Sequence, residues 1–354
     1  MSRTSDRVVG SLGRRVRRRA AVVAVAGLSV GALAVAAVPS GASAATSGHA
    51  RKLQKITLTL ALDPPKMIFM GFEIAQQEGF FQRNGLDVTI MPEQGGVQAA
   101  RAVAAGDAYF EAGGTDAIAA SVAQGGGLVS IWSYGQDDLS LLSDKSITSV
   151  AQLKGKTIGA GDSTGPAFEL GAIALRDVGI KLNQVTFAIL NGRPALVGAM
   201  VAGKIQAAAF HVDDGFTLLS QDKNVHVLEP LYKAAPLFWY GAVGIPVSYG
   251  KAHPTVVVDF LKAMIEAQTW MYSHPGPTIS LSVKDTGETQ AVVTKSYDFL
   301  RANKLWTTGV GMTPAQIKWT LQEYKANGII KTIPTVSQIF DPSYVNQALA
   351  QLKG

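Results

Sequence analysis

The chain has 354 residues, 47% of them hydrophobic, and a formal charge of +6. That length admits two domains and that composition a large core. Seven arginines and a single acid before residue 45 account for the whole charge excess, so the basic balance is no argument for nucleic-acid binding. With no cysteine present, disulfides, thiolate nucleophiles and cysteine-ligated metals are excluded.

The first 44 residues read as an export signal. A basic patch (Arg14–Arg19) leads into an apolar run and then into Ala42-Ser43-Ala44, a small-residue cleavage site. The run Ala20–Val38 is also long enough to span a bilayer. The site directly behind it predicts removal after Ala44, with residues 45–54 left as a polar tether. No cysteine follows to carry a lipid anchor, so the mature chain is expected free in the periplasm or outside the cell.

From Lys55 strands and helices alternate. Strands are expected at Lys55–Leu62, Leu86–Met91, Asp107–Gly114 and Leu128–Gly135, with helices at Met67–Phe81, Val97–Gly106 and Ala117–Gly126 between them. The pattern restarts at Lys156–Ala160, with a helix over Gly165–Val178 and strands at Val185–Leu190 and Ile205–Phe210. Helical periodicity returns over Pro254–Pro275 and near Gln290–Asn303, Pro314–Asn327 and Pro342–Leu352. These last helices are expected against the first lobe. Alternation of this kind predicts α/β lobes built on parallel sheets.

Two stretches repeat. Gly95 and Gly106 in GGVQAARAVAAGDAYFEAGGTD stand 97 residues before Gly192 and Gly203 in NGRPALVGAMVAGKIQAAAFHVDD, and Val88-Thr89-Ile90 stands 97 before Val185-Thr186-Phe187. The same strand–loop–helix–strand unit is thus used twice. The division expected is residues 55–138 with 240–354 in lobe 1, and 139–239 in lobe 2.

Neither copy announces catalysis. The five histidines are scattered, none at metal-ligand spacing, and there is neither a G-x-S-x-G elbow nor a Walker loop. No metal and no cofactor are expected. The loops after the strands are more informative, because ligands of open parallel sheets bind there. In lobe 1 they supply Asp63, Lys66, Thr115 and Asp116. In lobe 2 they supply Asp162, Ser163, Thr164, Gly165, Asn191, Arg193, His211, Asp213 and Asp214. Each loop precedes a helix, whose free N–H groups favour an anion or polar head group. For Thr115, Ser163 and Asp213, helix capping is the plain alternative. Trp132 and Tyr134 at one crossing, and Phe238, Trp239 and Tyr240 at the other, either pack the hinge or form a wall for a planar or cationic ligand.

Several motifs resemble periplasmic substrate-binding proteins of the nitrate, sulfonate, taurine and thiamine-pyrimidine-precursor group. They are Ala75-Gln76-Gln77-Glu78-Gly79-Phe80-Phe81, then Gly85-Leu86-Asp87-Val88, the second-lobe opening Leu153-Lys154-Gly155-Lys156, and His253-Pro254 opening a late helix. In AVAAGDAYF, Tyr109 stands where the family pattern has Asp. The resemblance implies the type II periplasmic-binding-protein fold and a monomeric receptor that closes on a small polar or anionic solute (sulfonate, nitrate or pyrimidine-like). It further implies delivery of that solute to an ABC-transporter permease, without catalysis. Within it Asp63 suits an amine-bearing ring, and Ser163, Thr164, Gly165 and Arg193 suit a sulfonate, phosphate or carboxylate. The alternative is an enzyme on the same fold, such as a thiamine-pyrimidine synthase, a branch that uses a cysteine-rich motif absent here.

Overall fold

The computed structural model describes residues 52–161, 163–190 and 192–353, apart from the side chain of Arg193. The export signal, His49 and most of the tether lie outside the described residues, as do Asp162 and Asn191. No described helix is long and apolar enough to cross a membrane.

The first half runs β1 (Gln54–Leu60), α1 (Met70–Gln77), α2 (Phe80–Arg83), β2 (Leu86–Pro92), α3 (Gly96–Ala105), β3 (Phe110–Gly114), α4 (Thr115–Ala123) and β4 (Leu128–Gly135). The chain then crosses to β5 (Ser140–Asp144), β6 (Thr157–Ala160), α5 (Pro166–Asp177), β7 (Thr186–Ile189), α6 (Arg193–Val201), β8 (Ala207–Phe210), α7 (Val212–Gln221), β9 (Val225–Pro230) and α8 (Leu231–Ala234). It returns as β10 (Gly241–Pro246) and ends in helices: α9 (Val247–Ala252), α10 (Pro254–Ser273), α11 (Pro275–Thr286), α12 (Gln290–Ala302), α13 (Pro314–Ala326), α14 (Val336–Ile339) and α15 (Ser343–Lys353).

Burial follows what packs against each strand. Leu86 and Val88 of β2 point inward while Asp87 and Thr89 face water, the alternation of a half-covered edge strand. Central β3 is buried on both faces, and so is β4 at the opposite edge, because α4, α14 and α15 pack against it. Helix α10 covers the first sheet, and a stack of Phe81, Phe260 and Phe110, with centroids 5.6 and 4.3 Å apart, joins helix to strand.

Two five-stranded sheets result, ordered β2-β1-β3-β10-β4 and β7-β6-β8-β5-β9. They correct the expectation of purely parallel sheets, because β10 and β5 run antiparallel to both of their neighbours. The reason is geometric. The three parallel strands β2, β1 and β3, and their counterparts β7, β6 and β8, all run toward the cleft between the sheets. A chain arriving from the other lobe enters at that edge and must run away from it. Strands β5 and β10 are the first after each crossing, and both are the reversed ones.

The repeat is reproduced in three dimensions. Gly95 and Gly192 precede α3 and α6 with φ of 132° and 82°, a region that favours glycine. The same 97-residue offset carries β3 onto β8 and the start of α4 onto the start of α7, so Asp116 is the counterpart of Asp213. Both carboxylates are buried in the first turn of their helices.

The C-terminal helices do more than cover the first sheet. Helices α10 and α11 pack on α1, while α12 also reaches α7 beyond the second sheet. There Thr217 donates to Glu288 at 2.6 Å, and Phe299 meets the edges of Phe216 and Tyr232.

Candidate functional site

The strand-end loops of the two lobes meet. Lys66, in the loop after β1, is buried and donates from Nζ to Asp214 Oδ1 at 2.7 Å. The neighbouring Met67 amide donates to Asp213 Oδ2 at 3.3 Å. A second approach joins the β3–α4 loop to the β6–α5 loop, where a Cβ on Gly114 would lie 2.7 Å from Pro166 Cδ. A third lies between α5 and α13. Asn327 accepts from Arg176 at 2.6 Å and donates to Glu169 at 2.7 Å, while Arg176 also pairs with Glu323.

The first crossing contributes Asp137 and Asp138, both buried. His211 Nδ1 lies 2.8 Å from Asp138 Oδ1, and the Val212 amide donates to Asp138 Oδ2 at 3.2 Å. Burial disfavours the charged imidazole, but Asp138 together with Asp213 and Asp214 outweighs it and raises His211 to about 9, which favours the imidazolium at neutral pH. Asp213 is pushed up to about 6 by burial and by Asp214, with Lys66 acting against them. Over this group lie Tyr134 and Tyr240, one from β4 and one from the second crossing, with ring centroids 6.3 Å apart at 77°. The rings of Tyr240 and His211 are nearly perpendicular, with centroids 6.2 Å apart.

The residues singled out in the sequence divide. Lys66, Asp116, His211 and Asp213 come together in or beside this group. Asp63 is exposed, 3.4 Å from the Gln94 amide. Ser163 is exposed, and Thr164 and Gly165 are half-buried at the start of α5. Arg193 opens α6, its side chain outside the described residues. Three expectations are corrected. Thr115, Ser163 and Asp213 do not occupy the cap positions, which fall to Gly114, Gly165 and His211. The Thr115 hydroxyl is consumed inside lobe 1, 2.6 Å from the Trp239 carbonyl and 2.7 Å from the Tyr324 hydroxyl. Trp132 is fully buried and donates to the Gly309 carbonyl at 2.7 Å, so it packs the lobe instead of walling the cleft. Trp239 is buried with its indole N–H unpartnered.

Glu111, Asp137 and Asp138 were missed. Glu111 had a signal: it is the one charge in FEAGG, a strand otherwise free of polar side chains. Asp137-Asp138 had a weaker one, as a pair of acids on an otherwise apolar crossing.

Solved structures share the fold. The periplasmic aliphatic sulphonate binding protein SsuA from Escherichia coli superposes with a TM-score of 0.68 at 17% identity, covering 82% of this chain and 92% of its own. The ligand-binding component of an ABC-type import system from Staphylococcus aureus, solved with zinc bound, gives 0.70 at 11% identity over 83% and 99%. The desulfurization enzyme DSZB gives 0.61 at 14% identity over 84% and 99%. No curated protein sequence matches significantly. The fold of two sheets is therefore that of the periplasmic binding proteins. Residues 67–277, from the loop after β1 through the first C-terminal helices, match the NMT1/THI5-like family model, and the chain belongs to that family.

Proposed function

We propose that this protein is an extracytoplasmic solute receptor that closes two lobes on a small molecule and presents it to an ABC-transporter permease. The observation that carries the reading is the direct meeting of strand-end loops from both lobes, Lys66 and Met67 on one side with Asp213 and Asp214 on the other. A solute touching both sets binds the closed form better than the open one, which is what closure requires. The hinge in this reading is the pair of crossings, residues 136–139 and 235–240. Export through the segment before Ala45 puts the receptor on the side where the solute arrives. DSZB shares the fold and is an enzyme. In this cleft Asp214 is held by Lys66, Asp213 by the Met67 amide, and Asp138 by His211 and the Val212 amide, an arrangement that fixes the acids in place.

The test uses the chain beginning at Ala45. Sulfonates, nitrate, pyrimidines and amines are screened by thermal unfolding. A solute at 100 times its dissociation constant adds roughly 2.7 kcal/mol if it binds only the folded state. It should return unaltered in native mass spectrometry. A chemically changed molecule would identify an enzyme instead.

A further inference from the structure

Resting on the receptor reading, we propose that closing the lobes takes up a proton on Glu169, so that acidification favours the closed form that holds the solute. Glu169 lies in the first turn of α5, in lobe 2, and is fully buried. Its hydrogen bond comes from the other lobe. The Asn327 amide, at the end of α13, donates to Oε2 at 2.7 Å, while Oε1 is buried with no partner.

The second observation is where the neighbouring cation is spent. Arg176, two turns further along α5, pairs with Glu323 of α13 and donates to the Asn327 carbonyl oxygen at 2.6 Å. Asn327 therefore takes the guanidinium on its oxygen and offers Glu169 a neutral amide. A carboxylate stripped of water and met by one neutral donor is poorly compensated, and the neutral acid costs far less to bury.

The other surroundings of α5 do not supply a counter-charge. Strand β8 is Ala-Ala-Ala-Phe, and the turns Val150–Leu153 and Leu182–Gln184 carry no charge. On α8, Lys233 lies over the Tyr232 ring, 5.6 Å from its centroid. Arg193 opens α6, which packs on β6 and β8. From lobe 1 come the Tyr324 hydroxyl, bonded to Thr115, and Asp116, whose charge acts on Glu169.

Burial is the main cause raising Glu169 to about 7. The Asn327 hydrogen bond lowers it, Asp116 adds to the rise and Arg176 opposes it. When the lobes part, α13 leaves α5 and water reaches the carboxyl, which returns toward its ordinary 4.5. Between those values the closed form holds a proton that the open form has lost, so lowering the pH through that window favours closure. Glu169 alone should make the closed-to-open ratio about tenfold larger at pH 6 than at pH 8. Asp213, raised to about 6 and met by the Met67 amide of lobe 1, acts in the same sense and adds about twofold over that interval.

The chain has no cysteine, so Val97→Cys on lobe 1 and Val201→Cys on lobe 2, both at exposed positions, accept one spin label each. Distances between the labels give the open and closed fractions of the chain beginning at Ala45, without solute. They are measured in the parent and in Arg176→Ala, where open forms are more populated. The closed-to-open ratio should rise by about tenfold or more from pH 8 to pH 6. Glu169→Gln keeps an acceptor for Asn327 and cannot ionise. In it the ratio should change by about twofold or less. Asn327→Ala removes the hydrogen bond that favours the ionised form, so it should move the change to higher pH, a second reading if Glu169→Gln folds poorly. Two populations whose proportions ignore pH, or shift as much in Glu169→Gln as in the parent, would overturn the proton and leave the receptor standing. A single fixed distance in every chain at every pH would count against the closure on which both readings rest.

Discussion

Glu111 sits in a strand whose other residues are Phe, Ala and Gly, and its charge is a cost to the empty protein. Its folded value of about 8 lies above the ordinary 4.5. Between those values the unfolded chain has already lost the proton that the folded chain still holds. The unfolded state binds fewer protons there, so this group's contribution to stability falls as pH rises through that window. Glu111→Gln removes the effect. The melting temperature of the variant relative to the parent should therefore increase from pH 5 to pH 8, read by calorimetry without added solute. A constant difference across that range would mean that Glu111 is not held neutral by the fold. Residues of this kind are hard to find in a sequence. Lys66, His211 and Asp213 were legible because they follow strands. Glu111 lies inside one, with its carboxyl beside Gly113 and beside Gly244, which stands on a strand far along the chain.

At the level of elements, the duplicated unit was legible because spacing survives where side chains do not. The offset that pairs Gly95 with Gly192 also pairs α4 with α7 and puts one buried acid at each helix start. The reversed strands β5 and β10 were not legible, because an apolar strand reads the same in either direction and only the crossings set its sense. The bridge between α5 and α13 was equally hidden, since Arg176 and Asn327 lie far apart in sequence. Arg176 is partly exposed, and such pairs are worth about 0–1 kcal/mol. Because the bridge joins the lobes, that energy bears on closure more than on folding. Arg176→Ala should shift the population toward open forms by up to about fivefold. Small-angle scattering of the solute-free variant should give a larger radius of gyration, and the melting temperature should move little. A radius equal to the parent's would show that the bridge does not hold the lobes together.

For the whole molecule, the strand order has a consequence in time. In the first sheet β4 has β10 as its neighbour, and between them in the chain stands the entire second sheet. As the chain emerges, β4 waits without its partner until β10 is available, while β5 to β9 can pair among themselves from one continuous stretch. Closing the long loop from β4 to β10 is slow in an unstructured chain. It becomes short once β5 and β9 pair, because Ser140 then lies opposite Pro230 and the two crossings are held side by side. The later lobe thus serves as the splint on which the earlier one is completed. In pulsed hydrogen exchange during refolding, the amides of β5, β8 and β9 should gain protection before those of β4. Protection of β4 first would mean that the first sheet assembles without that splint.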